Sequence, residues 1–115
     1  MKVLKALILG SLVFSSTSFA AGMSCLVDTI NFDRFFTGEC FGIDDRNSTT
    51  AIFRVDNPPA NFYIDWHDPS CSPTSLSCST TIFAYVDYVG SATVIDLSTG
   101  ATQTISATAR LENFF

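Results

Sequence analysis

Apolar and polar residues alternate along much of this chain. In residues 60–66, Phe62, Ile64 and Trp66 fall on one face, and Asn61, Tyr63 and Asp65 on the other. A period of two marks a strand with one buried face. Residues 102–111 repeat it, with Ile105, Ala107, Ala109 and Leu111 inward and Thr104, Ser106, Thr108 and Arg110 outward. Together with residues 91–97 they flank Ser98-Thr99-Gly100. Glycine reaches positive φ at little cost, so the pair reads as a hairpin. Residues 81–87 are apolar on both faces, which predicts a central strand. Residues 25–31 and 35–41, joined through Asp33-Arg34, and residues 50–55 complete the set. Residues 42–48 form a polar connection, and Asp56-Asn57-Pro58-Pro59 breaks the ladder, because proline has no amide donor. No segment keeps a 3.6-residue apolar period over three turns. About seven short strands predict an all-β fold, a small two-layer antiparallel sandwich.

The first residues do not belong to that pattern. Lys2 and Lys5 precede an apolar run over 6–14, and Ser18-Phe19-Ala20 places small residues at −3 and −1 of a cut after Ala20. This is the layout of a secretory signal. The expected organisation is a leader over 1–20 and one domain over 21–115, secreted or periplasmic. No second apolar run of about 20 residues follows, so no transmembrane segment is expected after cleavage.

Charge narrows the function classes. Without Lys2 and Lys5, four arginines (Arg34, Arg46, Arg54, Arg110) stand against eleven carboxylates, a formal net charge of −7. A nucleic-acid partner needs a basic surface to neutralise phosphates, which this chain lacks. The carboxylates fall largely in turns and at strand ends (Asp44, Asp45, Asp56, Asp68, Asp96), as solvated groups that keep an aromatic-rich domain soluble.

The four cysteines all lie beyond the leader. An even number in a small exported chain reads as two disulfides. Structural zinc is not expected, since no C-x2-C pair occurs and the single histidine is His67. The favoured pairing is Cys25–Cys40, tying two neighbouring strands, with Cys71–Cys78 closing a short loop. The nested pairing, Cys25–Cys78 with Cys40–Cys71, stays open on spacing alone.

Several of these residues resemble the immunoglobulin-like and PKD-like modules of exported bacterial proteins. Phe62-x-Ile64-x-Trp66 looks like the core tryptophan strand of such sandwiches. Residues 88–96, Ser98-Thr-Gly100 and Gln103-Thr-Ile-Ser-Ala107 look like their last hairpin. His67-Asp68-Pro69-Ser70-Cys71 departs from the Gly-Asp-Gly type of turn that usually follows the tryptophan in PKD-like modules. The resemblance implies an immunoglobulin-like fold and a non-catalytic role as spacer, adhesive unit or binding accessory.

Candidate chemistry is sparse. His67, flanked by Asp65 and Asp68, offers a general base oriented by a carboxylate, but no G-x-S-x-G elbow supplies a nucleophile. It is read as a strand-end histidine, with no catalytic residue and no cofactor assigned. Asp44-Asp45 with Asn47 offers oxygen ligands, as Asp65 with Asp68 does, but neither matches a calcium loop, and no metal site is assigned. Phe36, Phe53, Phe62, Trp66 and Phe83 are read as core. Tyr63, Tyr85 and Tyr88 are placed on a face that sugars could stack on, and Ser75 and Leu76 in the stapled loop form a second possible contact. Asn47-Ser48-Thr49 is formally a glycosylation sequon. The expectation is an exported non-catalytic binding or structural module with a protein or glycan partner at the cell surface. The alternatives are a secreted inhibitor presenting the Cys71–Cys78 loop, and a polymerising pilus-like subunit. The latter rests on Gly100 and the terminal Phe114-Phe115, which resemble the C-terminal strand of chaperone–usher pilins.

Overall fold

The computed structural model describes residues 19–29 and 34–113; residues 1–18 of the expected leader and the terminal Phe114-Phe115 lie outside them. Eight strands follow in order: β1 (Gly22–Val27), β2 (Phe36–Thr37), β3 (Glu39–Asp44), β4 (Ser48–Asp56), β5 (Phe62–Trp66), β6 (Ser77–Phe83), β7 (Tyr88–Asp96) and β8 (Thr102–Asn113). They form two four-stranded sheets. Sheet A has the order β2-β1-β4-β6, antiparallel throughout. Sheet B has the order β3-β8-β7-β5. Its strands are antiparallel except β3 and β8, which run parallel with Glu39 opposite Thr108 and Asp44 opposite Asn113. No helix occurs among the described residues. The all-β sandwich therefore has one strand more than expected and one parallel pair.

The alternating segments build the core. Ile105, Ala107, Ala109 and Leu111 of β8 are buried against Met23, Cys25 and Val27 of β1, Phe53 of β4, and Ile64 and Trp66 of β5. The β7–β8 hairpin turns at Gly100, φ +79°, whose amide donates to the Asp96 carbonyl at 2.7 Å. Ala21, the first residue after the expected cut, is buried. The Gln103 side chain clamps its backbone, accepting from the Ala21 amide at 3.0 Å and donating to its carbonyl at 2.8 Å.

Both favoured disulfides are present, Cys25–Cys40 and Cys71–Cys78. The first does not tie neighbouring strands of one sheet. It joins β1 of sheet A to β3 of sheet B. The second joins β6 of sheet A to the segment that leaves β5 of sheet B. Each staple therefore crosses between the layers.

Two segments differ from the sequence reading. Residues 35–41 are not one strand. The chain breaks at Gly38, φ +79°, a conformation glycine adopts without a Cβ penalty. Before it, Phe36 and Thr37 pair with β1; after it, β3 joins the other sheet. Phe36 thus sits on a two-residue edge strand, 40% exposed beneath the Arg34 guanidinium, rather than in the core. Residues 81–87 are not a central strand either, because β6 is the edge of sheet A and ends at Phe83. Ile82 points inward, so Phe83 points outward and is 60% exposed. Tyr85, φ +65°, then carries the chain to sheet B, where its amide donates to the Leu111 carbonyl at 2.7 Å.

Asp44 corrects a third expectation. Its carboxylate is not solvated; its side chain is fully buried at the end of β3. It accepts from Arg46 Nη2 at 2.6 Å and Nε at 3.1 Å, and from the amides of Asp45 and Arg46. The Arg46 hydrogen bond holds its carboxyl far below the usual carboxylate range. A carboxylate whose pKa is depressed in the folded state contributes stability that is present above its unfolded value of about 4 and is lost as pH falls toward the folded value. Asp44→Asn is therefore expected to flatten the acid limb of stability. The check is the urea midpoint of both proteins at pH 7 and pH 3, where the wild type should fall further. An equal fall in both would assign the acid limb to other carboxylates.

Candidate functional site

Where β5 ends at Trp66 and β7 begins at Tyr88, a cleft of about 340 Å³ opens between the two sheets. Its floor is aromatic. Phe53 and Tyr88 pack with ring centroids 5.7 Å apart, and Trp66 lies beside them. Gly90 makes this floor possible, because a Cβ there would lie 2.5 Å from the Phe53 ring. An isolated glycine in a strand often marks such a close approach.

The stapled loop bridges the two layers beside the cleft. Trp66 Nε1 donates to the Ser75 carbonyl at 3.1 Å. The Ile64 amide donates to the Pro73 carbonyl and the Val55 amide to the Leu76 carbonyl, at 2.9 and 2.8 Å. A turn closed by the Ser75 amide on the Ser72 carbonyl folds the segment back on itself. The carbonyls of Pro73, Ser75 and Leu76 are thus engaged by β5, Trp66 and β4, while Ser72, Pro73 and Thr74 face solvent.

The cleft rim carries the polar groups. His67 sits on the outer face of sheet B, with Nδ1 2.6 Å from Ser91 Oγ and Nε2 3.4 Å from Thr93 Oγ1. Thr93 continues to Thr104 at 3.2 Å. Neither Asp65 nor Asp68 hydrogen-bonds the imidazole, so the carboxylate-oriented base considered for His67 is not assembled among the described residues. Asp68 instead accepts from the Ser70 amide at 3.0 Å and the Ser70 hydroxyl at 2.8 Å, both through Oδ1. These bonds hold its carboxyl below the usual range. Its Oδ2 has no partner among the described residues, and neither do the hydroxyls of Thr80 and Tyr88, which also line the cleft. An oxygen of Asp68 and the sulfurs of Cys71 and Cys78 lie within 4.8 Å of one another, but both sulfurs are committed to the disulfide and are not thiolate ligands.

A second hollow of about 420 Å³ lies over β3 and β8, lined by Glu39, Phe41, Asp87 and Arg110. Its cation is already satisfied, since Arg110 contacts Asp87 at 2.9 Å and Glu112 at 3.1 Å.

The candidate residues do not share one surface. Tyr63 is 45% exposed on the outer face of sheet B, opposite Ile95. Tyr85 is exposed at the far end of β8, where its hydroxyl donates to the Asn113 carbonyl at 2.7 Å. Tyr88 is half-buried and faces inward. Ser75 is half-buried and Leu76 is 37% exposed in the stapled loop. Sequence reasoning did not single out Thr80, Gly90 and Ser91 as parts of a site. Gly90 had a readable signal, a glycine interrupting an alternating strand; Thr80 and Ser91 had none.

Comparison with protein-family models, with curated proteins and with solved structures finds no match to this chain.

Proposed function

We propose that this protein is an exported, non-catalytic binding module of the cell envelope or extracellular space, and that its contact site is the Tyr88–Asp68 cleft. The observation that carries this reading is the cleft itself. It has an aromatic floor, a volume of about 340 Å³, and on its lining a carboxylate oxygen and the hydroxyls of Thr80 and Tyr88, none of them bonded among the described residues. Binding sites combine apolar walls with a few such polar groups, and these three open to solvent from the cleft rather than lying buried.

Other features agree. Two inter-sheet disulfides fit an oxidising compartment and so support export. Trp66 on the strand that pairs with β7 agrees with what the resemblance to immunoglobulin-like or PKD-like modules implies. Against the inhibitor alternative, the stapled loop is turned and the carbonyls of Ser72, Pro73, Ser75 and Leu76 are bonded within the domain, whereas an inhibitory segment must offer its backbone to an enzyme.

The test is affinity capture from envelope extract. Val89 lines the cleft and is 59% exposed, so Val89→Arg changes the rim without touching the core. The wild type is expected to retain a partner that Val89→Arg loses, while Tyr85→Ala retains it. Equal capture by all three proteins would move the contact site elsewhere.

A further inference from the structure

The cleft has a definite charge character. Among the described residues Asp68 is the one carboxylate on its lining, which also holds His67 and no arginine. Arg46, Arg54 and Arg110 are each engaged by acidic side chains on other parts of the surface, and Arg34 stacks on Phe36. The same lining holds the rings of Phe53, Trp66 and Tyr88, an apolar wall beside the carboxylate. A single carboxylate on an otherwise apolar and aromatic lining is complementary in charge to an ammonium group on an alkyl stem.

The shape of the cleft selects among cations. Phe53 is 2% and Trp66 7% exposed, so the floor presents narrow strips rather than a broad ring face. A pyranose stacks over a broad face, whereas a slim alkyl chain needs only a strip. A guanidinium binds a carboxylate best through both oxygens. Here Oδ1 is already occupied by two bonds from Ser70, which leaves Oδ2 alone. One carboxylate oxygen without a partner among the described residues, on a lining that also holds the Thr80 and Tyr88 hydroxyls, suits a compact ammonium, which carries three donors on a point charge. Residues 21–115 hold no lysine, so a lysine side chain for the cleft is sought on a partner.

We infer that the cleft receives the side chain of a lysine from a partner protein, with its aliphatic stem along Phe53 and Tyr88 and its ammonium on Asp68. This rests on the cleft being the contact site and names what enters it.

The experiment is an NMR titration of the folded, disulfide-bonded protein. The probes are Nα-acetyl-lysine N-methylamide, its Nε-acetylated form, the matching arginine amide, and glucosamine. The lysine amide is expected to shift the Trp66 indole and Gly90 amide resonances saturably in the millimolar range. Asp68→Asn, which keeps an Oδ1 to accept from Ser70, should weaken that binding at least about tenfold, as loss of a charge pair at close range implies. The Nε-acetylated probe should leave both resonances unmoved. The inference is overturned if the lysine amide produces no saturable shift, if Asp68→Asn binds it equally well, or if the arginine amide or glucosamine binds more tightly. Should capture from extract depend on Val89 while the lysine amide leaves Trp66 unmoved, the lysine assignment fails and the cleft stands as the contact site. Should capture ignore Val89, it is the cleft reading that fails.

Discussion

Phe53→Ala is expected to lower stability by about 3–5 kcal/mol, the range for removing a fully buried aromatic ring and leaving a cavity. Phe53 is 2% exposed and joins three parts of the molecule. It sits in the middle of β4, its ring packs at a tilt against Tyr88, and it fills the space that Gly90 leaves vacant. Phe83→Ala makes the contrast, because Phe83 is 60% exposed on an edge strand and its loss should stay within about 0.5 kcal/mol. Urea unfolding of both variants measures the difference directly. Similar losses would mean that the inward and outward faces of sheet A are assigned wrongly.

The second large effect concerns the Cys25–Cys40 bridge. Converting both cysteines to alanine is expected to remove roughly 3 kcal/mol through the entropy of the opened loop, given a separation of 15 residues. Cys25 is 0% and Cys40 4% exposed, so lost packing adds to that figure. A domain of this size has little stability to spare. The double variant should therefore melt well below the wild type, and further below it than a Cys71→Ala/Cys78→Ala double variant, whose sequence separation of 7 closes a loop that carries less entropy. Thermal unfolding followed by tryptophan fluorescence gives the order. The reverse order would mean that the stapled loop, rather than the β1–β3 bridge, holds the layers together.

These two expectations rest on features of unequal legibility. The β7–β8 hairpin was readable because a strict period of two and a Gly-containing turn are both local. The disulfide pairing was readable because short loops close readily, but its inter-sheet geometry was not. That geometry depends on Gly38, one residue in a left-handed conformation, which sends the first half of residues 35–41 to one sheet and the second half to the other. Nothing in the alternation of that segment distinguishes a crossing from a continuous strand. Phe83 was misplaced for a related reason: an apolar run on both faces resembles a central strand, and its edge position is decided by which strands fail to pair beyond it. Asp44 has the composition of a turn and the surroundings of a core, and only its contact with Arg46 tells them apart.

The cleft was the least legible part. Trp66 comes from β5, Thr80 from β6, Tyr88 and Gly90 from β7, and Phe53 from β4, so no window of sequence contains it. The aspartate that gives it charge was considered for calcium beside Asp65. The fold separates those roles, giving Asp68 to the cleft and leaving Asp65 on the outer face of sheet B.

The measurement that bears most directly on the binding reading is site-resolved photo-crosslinking in the native envelope. A photoreactive side chain is placed in turn at Val89 beside the cleft, at Phe41 over the second hollow, and at Thr74 in the stapled loop. The cleft reading predicts a discrete adduct from position 89 alone, suppressed when Asp68→Asn is added. Adducts confined to position 41 or 74, with none from 89, would contradict it.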